Sequence, residues 1–217
     1  AQIQLVRGAR GIASEISMDV LAGDTKSNVT LQGEYLAEEQ RFDVGIYFYE
    51  VKPSAFAKLS PELFAISGID VPLRGTLTFS MLLNGVIESF GFDVAGSKGV
   101  VSLPVMTAKK LGLPQFAERL AVDGIDFRGR YEGGLKKIEI SNLTLDFGAD
   151  GKVYLPHPFD HEIPIKTINA SGRYFGDGPK LQFDMLDLDL YGPKLSIALN
   201  LVENEGAIYI GANGVAR

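Results

Sequence analysis

Ile125-Asp126-Phe127-Arg128-Gly129-Arg130-Tyr131 and Ile168-Asn169-Ala170-Ser171-Gly172-Arg173-Tyr174 decide the reading of this chain, because one pattern returns after 43 residues. At the same offset, Lys137-Ile138-Glu139-Ile140 through Leu143-Thr144-Leu145-Asp146-Phe147 lies over Lys180-Leu181-Gln182-Phe183 through Leu186-Asp187-Leu188-Asp189-Leu190. Each copy, over 125–147 and 168–190, is a pair of runs apolar at every second residue, the period of a strand with one buried face. Repeats of this length build elongated structures in which a unit buries its apolar face only with help from neighbours or a ligand. Inside both copies the apolar register slips by one residue, between Ile140 and Leu143 and between Phe183 and Leu186. A one-residue slip sends every later side chain to the other face, so the spacing predicts a β-bulge at the same place in each copy and a sheet that bends there.

The alternation extends beyond the repeat. Phe42, Val44, Ile46 and Phe48 share one strand face, with Asp43, Gly45, Tyr47 and Tyr49 on the other, and Leu77, Phe79 and Met81, then Leu195, Ile197, Leu199 and Leu201, repeat the pattern. Ala22-Gly23-Asp24, Asn84-Gly85, Gly133-Gly134, Asp150-Gly151 and Gly176-Asp177-Gly178-Pro179 fall where hairpin turns belong. Helical patterning is confined to two short stretches, about 53–65 (where Ser60 and Pro61 suit a cap and a first helical position) and about 106–120. The expected fold is all-β: an elongated, strongly bent, mostly antiparallel sheet over residues 1–217 as one segment, forming a hydrophobic groove, with two short helical insertions. Strand patterns at both ends of the sequence read as a segment of something longer.

Composition narrows the function. The chain has 217 residues, 46% of them hydrophobic, ample for a folded core. A net charge of −6 and a pI near 5.0 lack the clustered cations that a phosphate backbone needs, so a nucleic-acid partner is not expected. No cysteine is present, which removes thiolate metal sites and thiol nucleophiles and suits an oxidising compartment such as a periplasm. His157, Asp160, His161 and Glu162 are the nearest approach to a metal set, but two prolines in that stretch argue against convergent ligands, and an inter-repeat loop is the simpler reading. In the acidic set Asp184, Asp187 and Asp189, the last two alternate with Leu186, Leu188 and Leu190 and read as a solvated strand face rather than paired catalytic carboxylates. No phosphate loop, nucleophile elbow or zinc-protease motif occurs, so no catalytic residue, metal or cofactor is expected.

Gly68-Ile69-Asp70-Val71-Pro72-Leu73-Arg74-Gly75-Thr76-Leu77-Thr78-Phe79, Leu83-Asn84-Gly85-Val86-Ile87-Glu88-Ser89-Phe90-Gly91-Phe92-Asp93-Val94 and Gly99-Val100-Val101-Ser102-Leu103-Pro104 resemble the AsmA-like superfamily of the Gram-negative envelope, in its YhdP-type branch. Leu155-Pro156-His157-Pro158-Phe159-Asp160-His161 and Ser171-Gly172-Arg173-Tyr174 add to the likeness, which covers about residues 65–200. The resemblance implies a periplasmic segment of a long protein anchored in the inner membrane, a bent sheet with a hydrophobic groove, and conduction of phospholipid between inner and outer membranes, with envelope proteins as further partners. Its motifs are strand and turn signals, so only the groove-lining alternation carries over: Phe42, Val44, Ile46, Phe48, Leu77, Phe79, Leu143, Leu145, Phe147, Leu186, Leu188, Leu190, Ile197 and Leu199. A non-catalytic β-scaffold or docking module, its apolar face sealed by a second layer, would use the same residues as an ordinary core, and the alternation does not separate the two. A polysaccharide enzyme fits less well, because the common strand face is aliphatic.

Overall fold

The structure is a computed structural model that describes residues 2–8, 11–22, 25–57, 66–102, 120–155, 161–176, 180–204 and 207–216. Twelve long strands form one open antiparallel sheet that follows the chain as a meander. In order across the sheet they are β1 (Gln2–Arg7), β2 (Gly11–Ala22), β3 (Thr25–Leu36), β4 (Arg41–Val51), β6 (Leu73–Leu82), β7 (Ile87–Gly96), β10 (Gly124–Glu132), β11 (Lys137–Asp146), β14 (Thr167–Phe175), β15 (Lys180–Asp189), β16 (Lys194–Asn204) and β17 (Ala207–Ala216). The short strands β5 (Ile69–Asp70), β8 (Gly99–Val101) and β9 (Leu120–Val122) make a separate small sheet, and β12 (Lys152–Leu155) pairs with β13 (His161–Pro164). The expected all-β, antiparallel class is therefore what the chain adopts.

Of the two expected helical stretches the described residues include only the start of the first and, of the second, Leu120. One helix, α1 (Pro53–Phe56), is a single turn that starts at a proline, as the fixed φ of that residue favours, with Lys52 before it making no side-chain cap. Residues 58–65, with the expected Ser60 cap, lie outside the described residues, as does the second expected helix except for Leu120, which opens strand β9. Asp150-Gly151, expected to turn a hairpin, instead leads from the large sheet into the β12–β13 pair, since β11 bonds to β14. His161 begins β13 opposite Leu155, while His157 and Asp160 lie outside the described residues.

The repeat is present in the strand pairing. The β10–β11 ladder shifts register between Arg128 and Gly129, skipping Ser141, and the β14–β15 ladder shifts between Ser171 and Gly172, skipping Asp184; each pair of positions differs by 43. The next ladders shift between Ile140 and Leu143 and between Phe183 and Leu186, again at equivalent positions. Glycine is required at the kink: a Cβ on Gly129 would lie 2.2 Å from the Glu139 carbonyl oxygen, and one on Gly172 would lie 2.2 Å from that of Gln182. The bulge keeps Leu143 and Leu186 on the face that Ile140 and Phe183 occupy, which is why the apparent slip in the sequence costs the sheet no facing.

The core sits at one end of the strands. Val71, Val122, Phe147 and Ile165 are buried together where β5, β8, β9 and the segment around Gly151 fold over the sheet, and Leu73, Ile125, Leu145, Ile168, Leu188 and Leu190 pack against them. Tyr191 ties this end down, its hydroxyl hydrogen-bonded to the Gly148 carbonyl and accepting from the Gly151 amide. The opposite end is a rim of hairpin turns. The accessible surface is 14059 Å² for a 23.5 kDa chain, against roughly 9,800 Å² for a compact globule of that mass. The excess fits a sheet that has no second layer over most of its described strands.

Candidate functional site

Cross-strand register assembles one apolar face across the whole sheet. Directly opposed residues point the same way, so Ile3, Ile16, Leu31, Ile46, Leu77, Phe92, Gly129, Ile140, Gly172, Phe183, Leu199 and Ala212 form a single row over twelve strands. A second row runs through Val44, Phe79, Phe90, Tyr131, Ile138, Tyr174 and Leu181. A third runs through Phe48, Gly75, Val94, Phe127, Leu143, Ala170, Leu186 and Ile197. Glycines in these rows make room for aromatic rings; Phe92 lies over Gly129 and stacks on Phe127 with centroids 4.5 Å apart.

The fourteen residues expected to line a groove divide into two sets. Phe42, Val44, Ile46, Phe48, Leu77, Phe79, Leu143, Leu186, Ile197 and Leu199 stand on the open part of this face, all half-buried, with no second layer over them among the described residues. Leu145, Leu188 and Leu190 pack against the core, and Phe147 is inside it, 6% exposed. Ile16, Met18, Val29 and Leu31, absent from the expected fourteen, extend the face through β2 and β3. Their signal is plain alternation with Ser17, Asp19, Thr30 and Gln32.

The reverse face is polar and internally paired. Arg41 holds Asp43 through both carboxylate oxygens at 3.0 Å, and Ser80 Oγ donates to the same carboxylate at 2.6 Å. Burial pushes the Asp43 carboxyl up, but the hydrogen bonds from Ser80 and Arg41 and the guanidinium charge more than offset it, leaving it below the ordinary 3.8. The Arg41 guanidinium is raised in turn, first by its hydrogen bond to Asp43. Glu139 is lowered by the Lys137 ammonium 3.1 Å away, and Asp19 by hydrogen bonds from Lys26 and Asn28. Asn142 donates to Asp126 at 2.7 Å, Arg128 reaches Asp93 at 3.1 Å, and Asp187 pairs across to Ser196 and Asp189 to Lys194, so the aspartates of β15 belong to this solvated face.

An open cleft of about 540 Å³ lies on this polar side, over β1–β4, β6 and β7, lined by Gln4, Glu15, Gln32, Asp43, Tyr47 and Thr78 among others. No group of three or more metal-ligating side chains occurs among the described residues, and none of their helices is long and apolar enough to cross a membrane. No family model matches the chain, and neither the comparison with characterised proteins nor that with solved structures finds a significant match. The site therefore stands on its geometry: a two-faced sheet, aliphatic and aromatic on one side, ion-paired on the other.

Proposed function

We propose that this chain binds phospholipid acyl chains along its apolar face and conducts them as a non-catalytic segment of a periplasmic bridge between inner and outer membranes, in a parent protein anchored in the inner membrane. The observation that carries the reading is the unbroken apolar row over twelve strands, uncovered among the described residues away from the core end. At about 4.8 Å between strands such a row runs on the order of 50 Å. Each methylene that leaves water on it gains roughly 0.8 kcal/mol. Apart from the hydroxyls of Tyr131 and Tyr174, the three rows named above present only hydrocarbon, which suits a chain that must slide past every strand in turn. The AsmA-like resemblance of residues 65–200 supplies the envelope setting of the proposal.

Neighbouring residues on β16 test it. Leu199 is half-buried on the apolar face and Asn200 is exposed on the polar one. Leu199→Asp sets a carboxylate against bound hydrocarbon at a cost of several kcal/mol, and Asn200→Asp adds the same charge on the other side. Native mass spectrometry of protein purified without added lipid should find phospholipid on the parent and on Asn200→Asp, and little on a Leu199→Asp chain that keeps its β-sheet circular dichroism. Equal lipid on both variants, or none on the parent, removes the lipid reading. The polar-face cleft favours the alternative of a scaffold or docking module, which becomes the better reading in that event.

A further inference from the structure

The hairpin rim of the sheet carries aliphatic side chains where turns are ordinarily polar. Leu83 is 53% exposed, Val86 52%, Ile87 47% and Leu135 64%, and all four belong to two adjacent tips, the β6–β7 turn and the 3-10 turn Gly133–Leu135. The tips touch, for a Cβ on Gly133 would lie 2.2 Å from the Ile87 carbonyl oxygen. They are also braced: Leu83 N–H donates to the Gln40 carbonyl and Leu82 N–H to that of Val86, both at 2.9 Å. A rigid turn has no folding reason to hold leucine in water. From these tips the apolar face begins without a break, since Ile87 opposes Met81 and Met81 opposes Phe42.

We propose that this rim docks on a zwitterionic phospholipid bilayer, with Leu83, Val86, Ile87 and Leu135 entering the interface and the Ile87–Met81–Phe42 row meeting the hydrocarbon. The exposed patch amounts to a few hundred Å², the scale at which an apolar surface marks an interaction site. A stable protein interface needs about 800 Å² from each partner, more than two turn tips present. The turns beside the tips carry Glu38, Glu39, Glu88 and Glu132 with Arg41, Arg130, Lys136 and Lys137, a balanced set that neither draws nor repels anionic lipid, so the fitting surface is a neutral one. Docking stands independently of the acyl-chain reading; only the passage of chains from bilayer to face rests on it.

Flotation of the full chain with phosphatidylcholine vesicles tests the docking. The parent should float with the vesicles, and Leu83→Ser with Leu135→Ser should bind at least about tenfold more weakly, the loss of two partly inserted leucines. Both positions are exposed, so circular dichroism and melting temperature should stay at the parent values. Leu199→Asp should float like the parent even where it has lost co-purified lipid, which separates docking from cargo binding. A parent chain that ignores the vesicles overturns the proposal and leaves the tips to a protein partner. A folded double variant that binds as the parent does overturns it equally, whatever the lipid content of either protein.

Discussion

Phe147 and Phe183 begin from the same chemistry, large aromatic side chains on the apolar face in the two copies of a repeat, yet they end in different surroundings. Phe147 is buried with Val71, Val122 and Ile165, while Phe183 stays half-exposed in the middle of the open sheet. The strands on either side are alike in length and alternation. What differs is cover: β5, β8 and β9 reach over one end of the strands, and nothing described reaches over the rest. Folding stability is thus concentrated at one end, and the remaining apolar surface has no cover among the described residues.

The strongest test of that contrast is a pair of truncations. Phe147→Ala should leave a cavity in close-packed surroundings and cost about 3–4 kcal/mol, whereas Phe183→Ala removes a side chain already half in water and should cost about 1 kcal/mol. Urea denaturation of both variants reads the difference, and equal costs would show that the open face is covered in solution. Next in size, Gly172→Ala forces a Cβ to within 2.2 Å of a backbone oxygen, so the bulge must open, at an expected cost of about 2 kcal/mol. Gly129→Ala should match it if the two bulges are equivalent. Thermal melting of the pair measures whether the repeat is energetic as well as geometric.

Smaller effects sharpen the picture on either side of the sheet. Tyr191→Phe removes the hydroxyl that bridges Gly148 and Gly151 over the core end, and a drop of about 1 kcal/mol is expected, with faster amide exchange confined to that end. On the polar face the Asp43 carboxyl is lowered in the folded state, so its contribution is present above the ordinary 3.8 and lost as pH falls through the lower folded value. Because Asp43 is partly exposed, screening holds that contribution to about 1 kcal/mol or less. Asp43→Asn should flatten that part of the acid limb as pH falls below the ordinary 3.8, by about the same small amount. Stability curves of parent and variant that stay parallel throughout would place the acid sensitivity elsewhere.

Much of the face was legible before any coordinate. Phe42, Val44, Ile46 and Phe48 on one strand and Leu195, Ile197, Leu199 and Leu201 on another show period-two alternation, which is a local property of the backbone. The register slip at Ile140–Leu143 and Phe183–Leu186 likewise announced a bulge, because bulging is the one way to keep those leucines facing their partners. Ile16, Met18, Val29 and Leu31 carry the same signal, alternating with Ser17, Asp19, Thr30 and Gln32.

By itself, then, the sequence determined the strand class, the two chemically opposed faces and the positions of the paired bulges, since each depends on residues within one strand or one hairpin. Tertiary structure alone decided that Phe147, Leu145, Leu188 and Leu190 belong to a core while Phe183, Leu199 and Ile46 do not, that the cleft opens on the polar side, and that Leu83 and Leu135 meet at one rim. Those outcomes depend on which distant segments come to lie over which strand ends, and alternation is identical whether a face is covered or bare.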